Sequence, residues 1–122
     1  MKRLKRGDIV LAVFPFTDLT SEKRRPALVL NENTEHGDVI LAFIGTHFPS
    51  SPSKTSIVLD LSDSDFQETG LKTKSVIRLD KIATIERRLI TRRLGRLESE
   101  RMKTVDRALI FALQITYSVS ET

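Results

Sequence analysis

The apolar residues of this chain come in short, interrupted runs, and only at the end do they recur at helical spacing. Asp8 to Phe14 is apolar and β-branched and is stopped by Pro15. Pro26 opens the run Ala27 to Leu30, and Val39 to Ile44 is almost wholly apolar, as a strand buried on both faces would be. Gly45 interrupts that run, and a Pro- and Ser-rich loop follows to Lys54. Ser56 to Leu61 and Ser75 to Leu79 read as further strands, separated by an acidic loop containing Gly70, and 81–86 continues the sheet. Residues 87–97 suit a short helix or a strand equally. From 98 to 117 the pattern changes: Met102, Val105, Leu109, Ala112, Leu113 and Thr116 fall on one helical face, with Ser99 as a possible cap. Phe111 and Ile115 lie on the opposite face, one turn apart, as a contact surface or under a neighbouring loop. Five to seven short strands and one terminal helix predict a mainly β (α+β) fold, a small and strongly bent sheet or barrel.

A chain of 122 residues is sized for one domain, here 1–122, and can bury a core without covalent staples. Cysteine is absent, which excludes disulfides, thiol nucleophiles and cysteine-based zinc sites. The longest apolar run is too short to span a bilayer, and no apolar segment follows the basic N-terminus as a secretory signal requires. A cytoplasmic protein without membrane partners is expected. No metal-ligand spacing, Walker loop, dinucleotide fingerprint or nucleophile elbow occurs, so neither a metal nor a nucleotide cofactor is expected.

Charge is unevenly spread. Residues 72–107 hold twelve Lys or Arg against five Asp or Glu, whereas 32–68 holds seven acids against Lys54 alone. A polyanion such as RNA or DNA suits one side of such a molecule, and an ordinary solvated basic surface suits it equally. One Tyr and no Trp argue against a broad base-stacking platform.

Three places carry residues fit for chemistry. Pro26 biases Arg25 toward an extended backbone and gives its guanidinium a defined exit, suited to clamping a phosphate. Strand alternation puts Ile77 and Leu79 on one face and Arg78 and Asp80 on the other, where the opposite charges can pair. Thr46 and His47 follow Gly45 at a strand end, a rigid support for functional groups. Each also has a plainer reading, as a surface arginine, a weak ion pair or an exposed histidine, and taken singly the plainer readings win.

Taken together the segments resemble the MazF/PemK family of toxins from bacterial toxin–antitoxin pairs. The resemblance is carried by Arg6 to Val10, Phe14-Pro15-Phe16-Thr17-Asp18-Leu19, Arg25 to Leu30, Ser75 to Ile82, and Thr84-Ile85, in order along nearly the whole chain. It implies an SH3-like barrel with a C-terminal helix, normally a homodimer, acting as a metal-independent endoribonuclease on single-stranded mRNA. It also implies a cognate antitoxin with a disordered acidic tail, which suits the basic surface and the stripe at Phe111 and Ile115. Carried over residue by residue, the family's loop arginine is Arg25, its threonine is Thr46, and a PemK-like arginine and aspartate are Arg78 and Asp80. Thr17, Arg24, His47, Lys54 and Lys81 are the expected RNA contacts. One departure stands out: Gly45 separates Ile44 from Thr46, where many relatives have threonine directly after the isoleucine. One step along a strand reverses a side chain, so Thr46 needs a bulge to reach the site.

The implied reaction is attack of a ribose 2′-hydroxyl on the adjacent phosphodiester, giving 2′,3′-cyclic phosphate and 5′-hydroxyl ends. Asp80 is the candidate base, and Arg78 orients it or protonates the leaving group. Arginine's high pKa favours electrostatic stabilisation by both arginines, with Thr46 holding a non-bridging oxygen. Two rivals stand beside this reading: a non-enzymatic gyrase poison like CcdB on the same scaffold, and a plain SH3-like nucleic-acid-binding module.

Overall fold

The computed structural model describes residues 3–13, 23–32 and 34–116. Six antiparallel strands are followed by one helix: β1 (Asp8–Val13), β2 (Arg24–Val29), β3 (Asp38–Gly45), β4 (Ser56–Leu59), β5 (Ser75–Glu86), β6 (Ile90–Arg96) and α1 (Ser99–Leu113). They form one sheet in the order β4-β5-β3-β2-β1-β6. The edge strands β4 and β6 are not hydrogen-bonded to each other, so the sheet does not close by strand pairing. It curls instead: the 3-10 turn Gln67–Thr69, beyond β4, packs on β6 from the opposite edge. That contact is as close as backbones allow. A Cβ on Gly95 would lie 2.2 Å from the Glu68 carbonyl oxygen, and one on Gly70 would lie 2.1 Å from that of Leu94.

Alternating side chains bury both faces of the central strands. Ile9, Leu28, Ala42, Ile44, Ile77 and Leu79 pack with Met102, Val105 and Ala108 of α1. Val10, Ala12, Ala27, Val29, Leu41 and Ile85 gather in a second cluster with Leu4 and Ile90. Arg6 fastens the helix to the sheet, donating from Nε to the Leu30 carbonyl (2.9 Å) and pairing with Asp106.

Several boundaries differ from the sequence-based expectation. Strand β2 begins at Arg24, two residues ahead of Pro26. Proline fits there because β3 pairs with β2 only from Ala27 onward, so no ladder partner is denied an N–H at Pro26. Gly45 does not interrupt β3; it is the last strand residue, opposite Val76. The ambiguous stretch after Glu86 is a 3-10 turn, Arg87–Leu89, leading into β6. The helix ends at Leu113, where Gln114 turns left-handed (φ 56°) and the Ile115 N–H bonds to the Ile110 carbonyl. Leu113 and Thr116 are consequently exposed and not in the core, and Ala108 takes a core position instead. Ser99 is the first helical residue and makes no capping bond; Glu98 occupies the cap position.

Candidate functional site

The largest irregularity of the sheet lies between β3 and β5. Ala42 faces Ile82 and the next residue, Phe43, faces Arg78, so Leu79, Asp80 and Lys81 are surplus on β5. Such a bulge bends its strand and re-aims side chains. Beyond it the register runs true, with Ile44 opposite Ile77 and Gly45 opposite Val76. Residues paired across a sheet share a face, so Ala27, Phe43 and Arg78 stand in a row. Arg25, two residues before Ala27, falls on that same face. Arginines distant in sequence therefore reach one groove.

That groove has a volume of about 570 Å³. Arg25, Lys72, Arg78, Lys81 and Arg92 line it, together with Thr46 and His47, and no Asp or Glu among the described residues does. Five cations around one concavity make a strongly positive, anion-attracting surface. Its apolar portion includes Phe43, whose ring carries the Lys81 ammonium 4.5 Å from its centroid. Gly45 leaves the room that ring occupies.

A smaller hollow of about 310 Å³ adjoins it. His47, Val76 and Arg78 line both spaces, and Asp80 lines the smaller one. Here the expected ion pair is made: Arg78 donates from Nε to Oδ1 of Asp80 (3.1 Å) and from Nη2 to Oδ2 (2.9 Å). These hydrogen bonds hold the Asp80 carboxyl below its ordinary value, and burial only partly offsets them. The same bonds raise Arg78 above the usual arginine value.

The remaining sequence-based candidates separate clearly. Arg25, Thr46, His47, Arg78 and Lys81 share the groove, with Asp80 next door. Thr46 reaches it because β3 has already ended at Gly45. Arg24 is exposed, alternates to the opposite face from Arg25, and does not line the groove. Lys54 is elsewhere, its ammonium 5.2 Å from the ring centroid of Phe111 beside Thr104 and Arg107. His36 lies in the bend before β3 and lines neither space, so the two histidines do not meet there. Thr17 lies outside the described residues. Sequence reasoning missed Lys72 and Arg92, although both belong to the basic segment it singled out. Among the described residues no three His, Asp or Glu side chains gather as metal ligands would.

The family model described as PemK-like, MazF-like toxin of type II toxin–antitoxin system matches residues 5–113. The chain is 30% identical over 122 residues to a probable endoribonuclease MazF of Mycolicibacterium smegmatis, covering 92% of this chain and 98% of that protein. An endoribonuclease solved in complex with its cognate antitoxin, from a Mycobacterial species, superposes with a TM-score of 0.71 at 19% identity, over 94% of this chain and 99% of that one. MazF from Deinococcus radiodurans superposes with a TM-score of 0.69 at 18% identity, over 94% and 100%. At such identities the structural likeness speaks for the fold alone.

Proposed function

The chain belongs to the PemK-like, MazF-like toxins of type II toxin–antitoxin systems, and from this we propose that it is a metal-independent endoribonuclease that cuts single-stranded mRNA. It arrests growth unless a cognate antitoxin neutralises it. The observation that carries the reading is the convergence of Arg25 from β2 and Arg78 from β5 on one groove free of acidic residues among those described. A scissile phosphodiester bears one negative charge and gains more in its pentacoordinate transition state, and fixed guanidinium groups stabilise that gain. RNA brings its own nucleophile, so the protein needs to align, move protons and neutralise charge.

In this scheme Arg25 and Arg78 face the phosphoryl oxygens, Thr46 donates to a non-bridging oxygen, and Asp80 takes the 2′-hydroxyl proton. The 2′-oxygen bonds to phosphorus and the bond to the 5′-oxygen breaks. A 2′,3′-cyclic phosphate and a 5′-hydroxyl end result. Arg78, its guanidinium already engaged by Asp80 and its pKa raised, acts as a cation and not as a proton donor. Lys72, Lys81 and Arg92 guide the flanking phosphates. The protein works as a homodimer in the cytoplasm, and no helix among the described residues is long and apolar enough to cross a membrane. The antitoxin supplies an acidic disordered segment to the basic face and to the exposed Phe111 and Ile115.

Incubating the purified protein with single-stranded RNA in EDTA tests this directly. Cleavage to cyclic-phosphate ends is expected. Salt-sensitive binding without cutting would instead indicate a nucleic-acid-binding module, and neither result would leave a gyrase-type poison.

A further inference from the structure

Transphosphorylation needs two proton transfers: one from the 2′-hydroxyl and one to the departing 5′-oxygen. A carboxylate can accept the first, and Asp80 is placed for it. The second needs a group that holds a dissociable proton near neutral pH. Among the described residues, the charged side chains walling the groove and the adjoining hollow are Arg25 from β2, Arg78, Asp80 and Lys81 from β5, Lys72 from the connection before β5, and Arg92 from β6. Lys74 stands close by, over the Phe48 ring. A guanidinium gives up its proton reluctantly, and Arg78 more reluctantly still with Asp80 bonded to it. An ammonium can serve as an acid, but as a residue type it is a weaker one at neutral pH than an imidazolium. An ionised aspartate has no proton to give.

We propose that His47 is the general acid of the reaction, handing its imidazolium proton to the 5′-oxygen as the P–O bond breaks. The inference rests on the ribonuclease reading above and deepens it. Its geometric ground is that His47 lines both the cationic groove and the hollow holding Asp80, as do Arg78 and Val76. Among the described residues of those two walls it is the one side chain of a type that exchanges protons near pH 7. The balance is complete: the 2′-oxygen forms its bond to phosphorus and loses its proton to Asp80, while the 5′-oxygen leaves with the proton of His47. Solvent then restores both groups.

The test compares one RNA containing a single cleavable linkage with the same RNA carrying a 5′-bridging sulfur at that linkage. A thiolate leaves without being protonated, so a missing general acid no longer matters. His47→Ala and His47→Asn are expected to cut the ordinary RNA about 10²–10⁴-fold more slowly, the usual general-acid contribution, with little change in kcat on the sulfur substrate. Wild-type kcat on ordinary RNA should fall at alkaline pH, and that fall should vanish with the sulfur substrate. Equal losses on both substrates would assign His47 to binding and overturn the proposal, as would full activity of either variant on ordinary RNA. The wild-type comparison decides the matter even if both variants fold poorly: an alkaline limb that persists with sulfur overturns it too. Absence of cleavage by the wild-type protein would instead overturn the ribonuclease reading itself.

Discussion

A Cβ built on Gly45 would come within 2.6 Å of Cε1 of Phe43, two residues earlier on the same face of β3. The absence of a side chain here leaves the space in which the Phe43 ring lies, and that ring supports the Lys81 ammonium. Gly45→Ala should push the ring outward and displace that cation, at the point where β3 meets the β5 bulge. A misplacement of about 1 Å can cost up to about 10²-fold in rate, and a loss within that bound is expected with the circular dichroism spectrum unchanged. Gly45→Ala combined with Phe43→Leu should recover part of the rate. Wild-type cleavage by Gly45→Ala alone would contradict this account.

The Arg78–Asp80 pair sets a pH dependence. Its hydrogen bonds lower the Asp80 pKa, so the carboxylate persists as pH falls and protonates only below the ordinary aspartate range. Any stability from the pair is present above the ordinary value and lost as pH drops through the lowered one. That contribution is small, because the two side chains are 41% and 39% exposed. Arg78→Gln should move the Asp80 titration to higher pH, read from its carboxyl carbon chemical shift by NMR. An unmoved midpoint would mean the pairing does not persist in solution.

Neighbouring arginines should behave differently. Arg25 is half-buried and lines the groove, while Arg24 is exposed and points to the other face. Arg25→Ala should lower cleavage by about 10²–10³-fold, the usual cost of losing one transition-state donor, with the fold intact. Arg24→Ala should leave the rate close to wild type. RNA binding followed against salt should lose roughly one unit of slope for Arg25→Ala and essentially none for Arg24→Ala.

The contrast between those two residues shows what the sequence could convey. The pairing of Arg78 with Asp80 was legible because strand alternation and a two-residue spacing fix it locally. The strands around Ile9, Leu28, Leu41 and Ile77 were legible from their apolar runs. The bulge at Leu79, Asp80 and Lys81 was not: alternation slips at the consecutive polar pair Asp80-Lys81, but only the partner strand reveals how many residues are surplus. Arg92 was missed because 87–97 carries arginine and leucine, which suit helix and strand alike. What decides for the strand is tertiary: β6 pairs with β1, and the Glu68–Gly70 turn seats closely against Leu94 and Gly95. Lys54 does not join the groove because its loop folds toward Phe111 on the helix side, and no local signal says which way a loop turns.

Arg101 tests the scaffold separately from the chemistry. It donates from Nε and Nη2 to Asp65 (3.2 and 2.9 Å) and from Nη2 to Asp63 (2.8 Å), tying α1 to the acidic loop that precedes the turn packed on β6. Asp65 is 6% exposed, so removing its cation strands a charge away from water. Arg101→Met should cost about 3 kcal/mol, the low end for breaking a buried pair, because Arg101 itself keeps 23% of its side chain in solvent. Both carboxyls are held below their ordinary value, chiefly by backbone and Arg101 hydrogen bonds for Asp63 and by Arg101 for Asp65. Their contribution is thus complete above the ordinary aspartate pKa and disappears as pH falls through the lowered ones. Urea denaturation at a series of pH values should show wild type and Arg101→Met far apart at pH 7 and converging under acid. A gap of equal size at all pH values would mean that Arg101 stabilises by packing its alkyl chain and not by its charge.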